Sequence, residues 1–120
     1  MVPITITRHK NTPLDGSANL LLYGYGSYGN SMSPGFSSTR LSLIDRNIIW
    51  VTAHIRGGME RGMKWWKEGK LLNKKNTFED YIAVGKYLVE KKYTSKGKII
   101  GMGGSAGGLL MGAVVNQAPE

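Results

Sequence analysis

Gly101-Met102-Gly103-Gly104-Ser105-Ala106-Gly107-Gly108 lies between a short apolar run, Lys98-Ile99-Ile100, and a longer one, Leu109-Leu110-Met111-Gly112-Ala113-Val114-Val115. That order reads as a strand, a very tight turn and a helix. Gly103 to Gly107 spell G-x-S-x-G, the pattern of a nucleophile elbow. A serine held at a strained strand-to-helix turn projects its Oγ away from the backbone, where a base and a substrate can both reach it. Side chains on its neighbours would collide across such a turn, so small residues flank it. The free N–H groups at the start of the following helix point at the same spot and favour a developing oxyanion. The alternative is that glycine and serine merely make a flexible turn.

Upstream of this turn the chain alternates between strand and helix signals. Thr77 is expected to start a helix running to about Lys92, with Asp80 at the capping-box position. Tyr81, Val84 and Leu88, with Ile82, Gly85 and Val89, supply its buried face. Met63 to Gly69 reads as a short helix after the Gly-rich loop Arg56 to Gly62. Ile48 to Ile55 is the clearest strand, being rich in β-branched and aromatic residues. A helix is expected from about Ser37 to Arg46, capped by Ser37 or Ser38, with Leu41 and Ile44 on one face. Leu20-Leu21-Leu22-Tyr23 reads as a strand covered on both faces, and residues 2–8 alternate as a half-buried strand. The class is therefore α/β, with a largely parallel sheet after an N-terminal hairpin.

The 120 residues suffice for one modest domain with a real core. No run is long enough to span a bilayer, and the alternating N-terminus is not a signal peptide. The absence of cysteine excludes disulfides and thiolate metal sites and fits a reducing compartment, so a cytoplasmic location is expected. A net charge of +8 admits an acidic partner such as nucleic acid, or a place within a larger, better balanced protein.

Gly24, Gly26 and Gly29 form G-x-G-x-x-G after a strand, with Asp45 about 20 residues on, which is a dinucleotide-binding pattern. Pro34 and Gly35 break the chain where a helix should open, and Asp45 precedes the next strand instead of ending it. The elbow gives these glycines another task. An oxyanion hole in that class takes one N–H from the residue after the nucleophile, here Ala106, and a second donor from the loop after an earlier central strand. The Gly24–Gly29 loop sits there, and Tyr25 could offer its phenolic O–H. Arg61, Lys64, Lys67, Lys70, Lys74 and Lys75 crowd around Trp65 and Trp66, a composition that can bind single-stranded nucleic acid but also suits a solvated face over half-buried indoles. His9 and His54 both precede Ser105, whereas α/β-hydrolases run Ser, Asp or Glu, then His. Downstream of Ser105 there is no His and no Asp, and the one acid is Glu120. A triad is therefore not expected within these residues.

Six words stand in a fixed order along the chain: Leu22-Tyr23-Gly24-Tyr25-Gly26-Ser27-Tyr28-Gly29, Arg40-Leu41-Ser42-Leu43, His54-Ile55-Arg56-Gly57-Gly58, Lys75-Asn76-Thr77-Phe78-Glu79-Asp80-Tyr81, Gly103-Gly104-Ser105-Ala106-Gly107-Gly108 and Asn116-Gln117. In these words the chain resembles the prolyl oligopeptidase family of serine peptidases, most of all its oligopeptidase B branch. Ala106 favours the oligopeptidase B branch, since prolyl oligopeptidases usually carry Asn there. The resemblance implies that residues 1–120 are the N-terminal part of an α/β-hydrolase peptidase catalytic domain. That part has a mostly parallel sheet with flanking helices, lacks the later strands and ends just after the elbow. It implies Ser105 as nucleophile, Tyr25 O–H and Ala106 N–H as oxyanion donors, no cofactor and no metal. It also implies cleavage of short peptides after Arg or Lys by a catalytic domain paired with a β-propeller. The C-terminal catalytic portion and the propeller are then the partners this stretch lacks, and the stretch alone is expected to be inactive. Met59 departs from the family, which usually has a third glycine there. Ser33 and Gly35 stand where oligopeptidase B relatives can carry acids that hold basic side chains. The alternatives kept beside this reading are a basic nucleic-acid-binding module and a dinucleotide-binding fragment.

Overall fold

Four short runs of β-branched and aliphatic residues form the strands: β1 (Ile4–Thr7), β2 (Leu20–Tyr23), β3 (Ile49–Ala53) and β4 (Ile99–Met102). In the computed structural model, which describes residues 1–120, they pair in the order β1-β3-β2-β4. β3 and β4 both run parallel to β2, which places Leu20 opposite Ile49 on one side and Ile99 on the other. β1 runs antiparallel to β3, with Ile4 opposite Ala53, so the sheet is mixed. The expected N-terminal hairpin is not formed. The long loop after β1 carries the chain past β3, and the Thr12 hydroxyl donates to the Asn47 side chain (3.1 Å) just before β3 begins.

The helices are α1 (Ser38–Ile44), α2 (Met63–Lys67), α3 (Lys75–Glu90) and α4 (Ala106–Gln117). Ser37 caps α1 by accepting the Arg40 N–H, as its position suggests. Ile44 is buried beneath α1, whereas Leu41 on the same helix is exposed. α3 begins two residues before the expected start, directly after a 3₁₀ turn at Leu71–Asn73. Thr77 is consequently inside the helix and is no cap. Its hydroxyl is buried and donates to the carbonyls of Arg56 (2.7 Å) and Gly69 (3.2 Å). Asp80 closes no capping box either, being committed to Arg56.

Strand alternation divides the sheet into two faces. Leu20, Leu22, Ile49, Val51 and Ala53 pack with Tyr81, Val84 and Leu88 of α3 and Leu110 of α4 in a single core. Leu20, Leu88 and Leu110 have no exposed surface, and each such burial contributes about 2 kcal/mol. The other face carries Tyr23 stacked on Trp50, with the Arg40 guanidinium of α1 lying 4.8 Å from the Trp50 ring centre. The turn Tyr93–Lys98 is tied to the loop before β2. Thr94 Oγ1 donates to the Ala18 carbonyl (2.8 Å), Lys98 Nζ to Ser17 (2.8 Å), and the Leu20 N–H to the Lys98 carbonyl (3.0 Å). These ties start β2 and β4 in register and so deliver their C-terminal ends side by side.

Candidate active site

Ser105 is the joint between β4 and α4. Its backbone stands at φ 54° and ψ −118°, a conformation that costs an L-residue on the order of 1–3 kcal/mol. The side chain is exposed and makes no hydrogen bond within the chain. The glycines around it are required by close backbone approach. A Cβ on Gly103 would lie 2.5 Å from the Gly107 carbonyl oxygen and 3.0 Å from that of Gly24. A Cβ on Gly107 would lie 2.9 Å from the same Gly24 oxygen. Gly104 has open space around it. The first helical turn closes on itself, with the Gly107 N–H donating to Gly104 and the Gly108 N–H to Ser105, both at 2.8 Å. The Ala106 N–H donates to no group of the chain.

The loop after β2 packs against this turn. The Gly24 N–H donates to the Met102 carbonyl at 3.1 Å. A Cβ placed on Gly107 would touch Tyr25 at Cα and Cδ2, 3.7 Å from each. Tyr25 is half-buried against Tyr28, their rings 6.5 Å apart and tilted by 51°, and its phenolic oxygen has no partner within the chain. Ser105, Ala106 and Tyr25, three residues singled out from sequence, thus share one end of two adjacent strands.

His54 does not join them. It directly follows β3, which β2 separates from β4, so it lies about 10 Å across the sheet at the usual strand spacing. It is buried, with Nε2 2.7 Å from the Thr5 hydroxyl and Nδ1 3.6 Å from Glu60. His9 lies in the loop after β1, where its Nδ1 accepts the Asn11 N–H. The G-x-G-x-x-G reading fails on geometry. No helix opens from these glycines, the Gly29 N–H donates to the Gly57 carbonyl, and Asp45 caps the C-terminus of α1. The basic and aromatic stretch is also occupied internally. Arg56 and Arg61 lie over the Trp65 ring at 5.9 and 5.2 Å, the Trp65 indole N–H donates to the His54 carbonyl, and Lys70 Nζ lies 3.7 Å from the centre of Trp66. These indoles are therefore not free platforms for bases.

Two residues that the sequence reading placed in other roles prove to be supports. Asp80 is buried and receives the Arg56 backbone N–H (2.9 Å), Nε (2.9 Å) and an Nη (2.7 Å), which clamps the loop after β3 to α3. That hydrogen bonding raises the Arg56 pKa above its ordinary value. Lys74 reaches into the Gly24–Gly29 loop, where Nζ donates to the Gly26 carbonyl (2.5 Å) and Ser27 Oγ (2.8 Å). Desolvation lowers its pKa. The sequence reading put Asp80 in a capping box and Lys74 in the basic stretch, and neither pattern announces these contacts. Met59, the departure from the family pattern, packs its thioether against Gly29, where a Cβ would lie 3.1 Å from its sulfur.

Parallel central strands with a strained serine turn between the last of them and a helix are an arrangement shared with serine hydrolases as a class. Residues 34–120 match the prolyl oligopeptidase family of peptidases (Peptidase_S9), and the chain belongs to that family. It is 55% identical over 119 residues to dipeptidyl aminopeptidase BI of Pseudoxanthomonas mexicana, covering 99% of this chain and 16% of that protein. It is 50% identical over 119 residues to Protease 2 of Moraxella lacunata, covering 99% of this chain and 17% of that protein. The solved structure of oligopeptidase B from Leishmania major superposes with a TM-score of 0.94 at 47% identity, over 98% of this chain and 16% of that one. These relatives are peptidases, and the chain spans about one sixth of their length.

Proposed function

We propose that residues 1–120 are the N-terminal part of an α/β-hydrolase catalytic domain and that the complete protein is a serine peptidase with Ser105 as its nucleophile. The observation that carries this reading is the backbone of Ser105 at φ 54°, on the turn that frees the Ala106 N–H beside Tyr25. In the proposed mechanism Ser105 Oγ attacks the scissile carbonyl carbon and its proton passes to a histidine oriented by an aspartate. The carbonyl oxygen becomes an oxyanion that accepts from the Ala106 N–H and the Tyr25 O–H. Collapse of the tetrahedral intermediate expels the amine, which takes the proton from the histidinium. Water then hydrolyses the acyl-enzyme by the same steps in reverse order.

The aspartate and histidine are proposed to come from the remainder of the catalytic domain, with a β-propeller restricting access to short peptides. The 120 residues alone should then turn over no substrate, since the packed His54 offers Ser105 no base. Cleavage after Arg or Lys is proposed from the likeness to oligopeptidase B. Neither Ser33 nor Gly35 supplies a charge toward such a substrate here, and any acid that does lies elsewhere in the complete protein. The test is hydrolysis of Arg, Lys and Pro peptide amides by the complete peptidase and its Ser105→Ala variant. The expected result is Arg and Lys cleavage that the variant loses. Cleavage after Pro overturns the specificity, and full activity in Ser105→Ala overturns the nucleophile.

A further inference from the structure

Tyr25 stands between two glycines, and glycine offers the backbone little resistance to rotation. A phenolic O–H that must meet an oxyanion within a few tenths of an ångström therefore needs its backbone held from outside. On one side the Gly24 N–H is fixed to the Met102 carbonyl at the end of β4. On the other side the Gly26 carbonyl and the Ser27 hydroxyl are both held by Lys74 Nζ.

Lys74 is an expensive choice for this place. It is half-buried, and the ion pairs of the chain are His54–Glu60, Arg56–Asp80 and Lys64–Glu68, so Lys74 has no carboxylate partner. It also stands at the N-cap of α3, where the helix dipole disfavours a cation. Neither helix stability nor charge pairing accounts for it. Its two bonds do, because an ammonium donor makes stronger hydrogen bonds to neutral oxygens than a neutral donor would.

We infer that Lys74 is a positioning residue that locks the Gly26–Ser27 segment and thereby aims the Tyr25 O–H at the oxyanion formed on attack by Ser105. The inference rests on the proposed role of Tyr25 as an oxyanion donor. Losing the lock leaves the phenol intact but misdirected, so the effect falls on the transition state and spares substrate binding.

The experiment is a double-mutant cycle in the complete peptidase, with kcat and KM measured for Tyr25→Phe, Lys74→Met and the pair. Tyr25→Phe is expected to lower kcat about 10²-fold with KM little changed. Lys74→Met is expected to lower kcat about tenfold, again with KM little changed. In the Tyr25→Phe background Lys74→Met should have no further effect, because no O–H remains to be aimed. Independent, multiplicative losses overturn the inference about Lys74 while leaving Tyr25 as the donor. An unchanged kcat in Tyr25→Phe overturns the donor role, and the inference with it. If Lys74→Met does not fold, Ser27→Ala removes one of the two acceptors without opening the loop. It should lower kcat in the wild-type background and not in Tyr25→Phe, and equal losses in both backgrounds overturn the inference.

Discussion

Ser105 is held in a conformation that serine avoids, and the strain is the price of presenting Oγ clear of the backbone. Removing the side chain but keeping the Cβ should leave the strain in place, whereas glycine relieves it. Ser105→Gly is therefore expected to be more stable than Ser105→Ala by about 1 kcal/mol, read from denaturant melts of the complete peptidase. Equal stabilities would mean that the turn is unstrained. Lys74 carries a second residue-level signature. Burial lowers its pKa from 10.5, so just below that pH the unfolded chain binds more protons than the folded one. Stability accordingly rises with pH in that window. Burial also raises the Tyr81 pKa, which works the other way above about pH 10, but Tyr81 is common to wild type and Lys74→Met. The stability difference between them should widen in favour of wild type from neutral pH to about pH 10. Parallel curves would show that Lys74 is not desolvated.

At the scale of elements, β4, the turn and α4 act as one unit whose glycines are not equivalent. Gly103→Ala places a Cβ against the Gly107 carbonyl, while Gly104→Ala meets nothing within 4 Å. Gly103→Ala should cost at least about 2 kcal/mol and most of the activity, and Gly104→Ala less than about 1 kcal/mol. Comparable losses in thermal melts would refute this account of the turn. This unit was legible in the sequence because its constraints are local: small residues, a serine and two apolar runs in fixed order. Ser37 as a cap was legible for the same reason. The start of α3 was not, because Thr77 and Asp80 have the spacing of a capping box but are engaged by Arg56 and Gly69 from other elements. Arg56 and Asp80 lie 24 positions apart, and no local pattern announces their pairing.

At the scale of the molecule, the strand order was the illegible part. The alternation of strands and helices announces an α/β class, but nothing local to residues 2–8 says that they pair with β3 and not β2. The meeting of Tyr25 and Ser105 at one end of the sheet was legible once the order of the parallel strands was assumed, since both leave strands at their C-terminal ends. β4 pairs with β2 alone, and Ile100, Met102, Leu109 and Val115 on β4 and α4 are exposed. A polypeptide of these 120 residues should therefore self-associate through this edge. Sedimentation that shows a monodisperse monomer with a cooperative melt would contradict that expectation.

The central claim is that Ser105 is the nucleophile. The most direct measurement is peptide mass mapping of the complete peptidase after reaction with a serine-directed fluorophosphonate. A single adduct on Ser105, lost in Ser105→Ala together with peptide hydrolysis, is the predicted result. An adduct on another serine, or hydrolysis that proceeds with Ser105 unmodified, would contradict it.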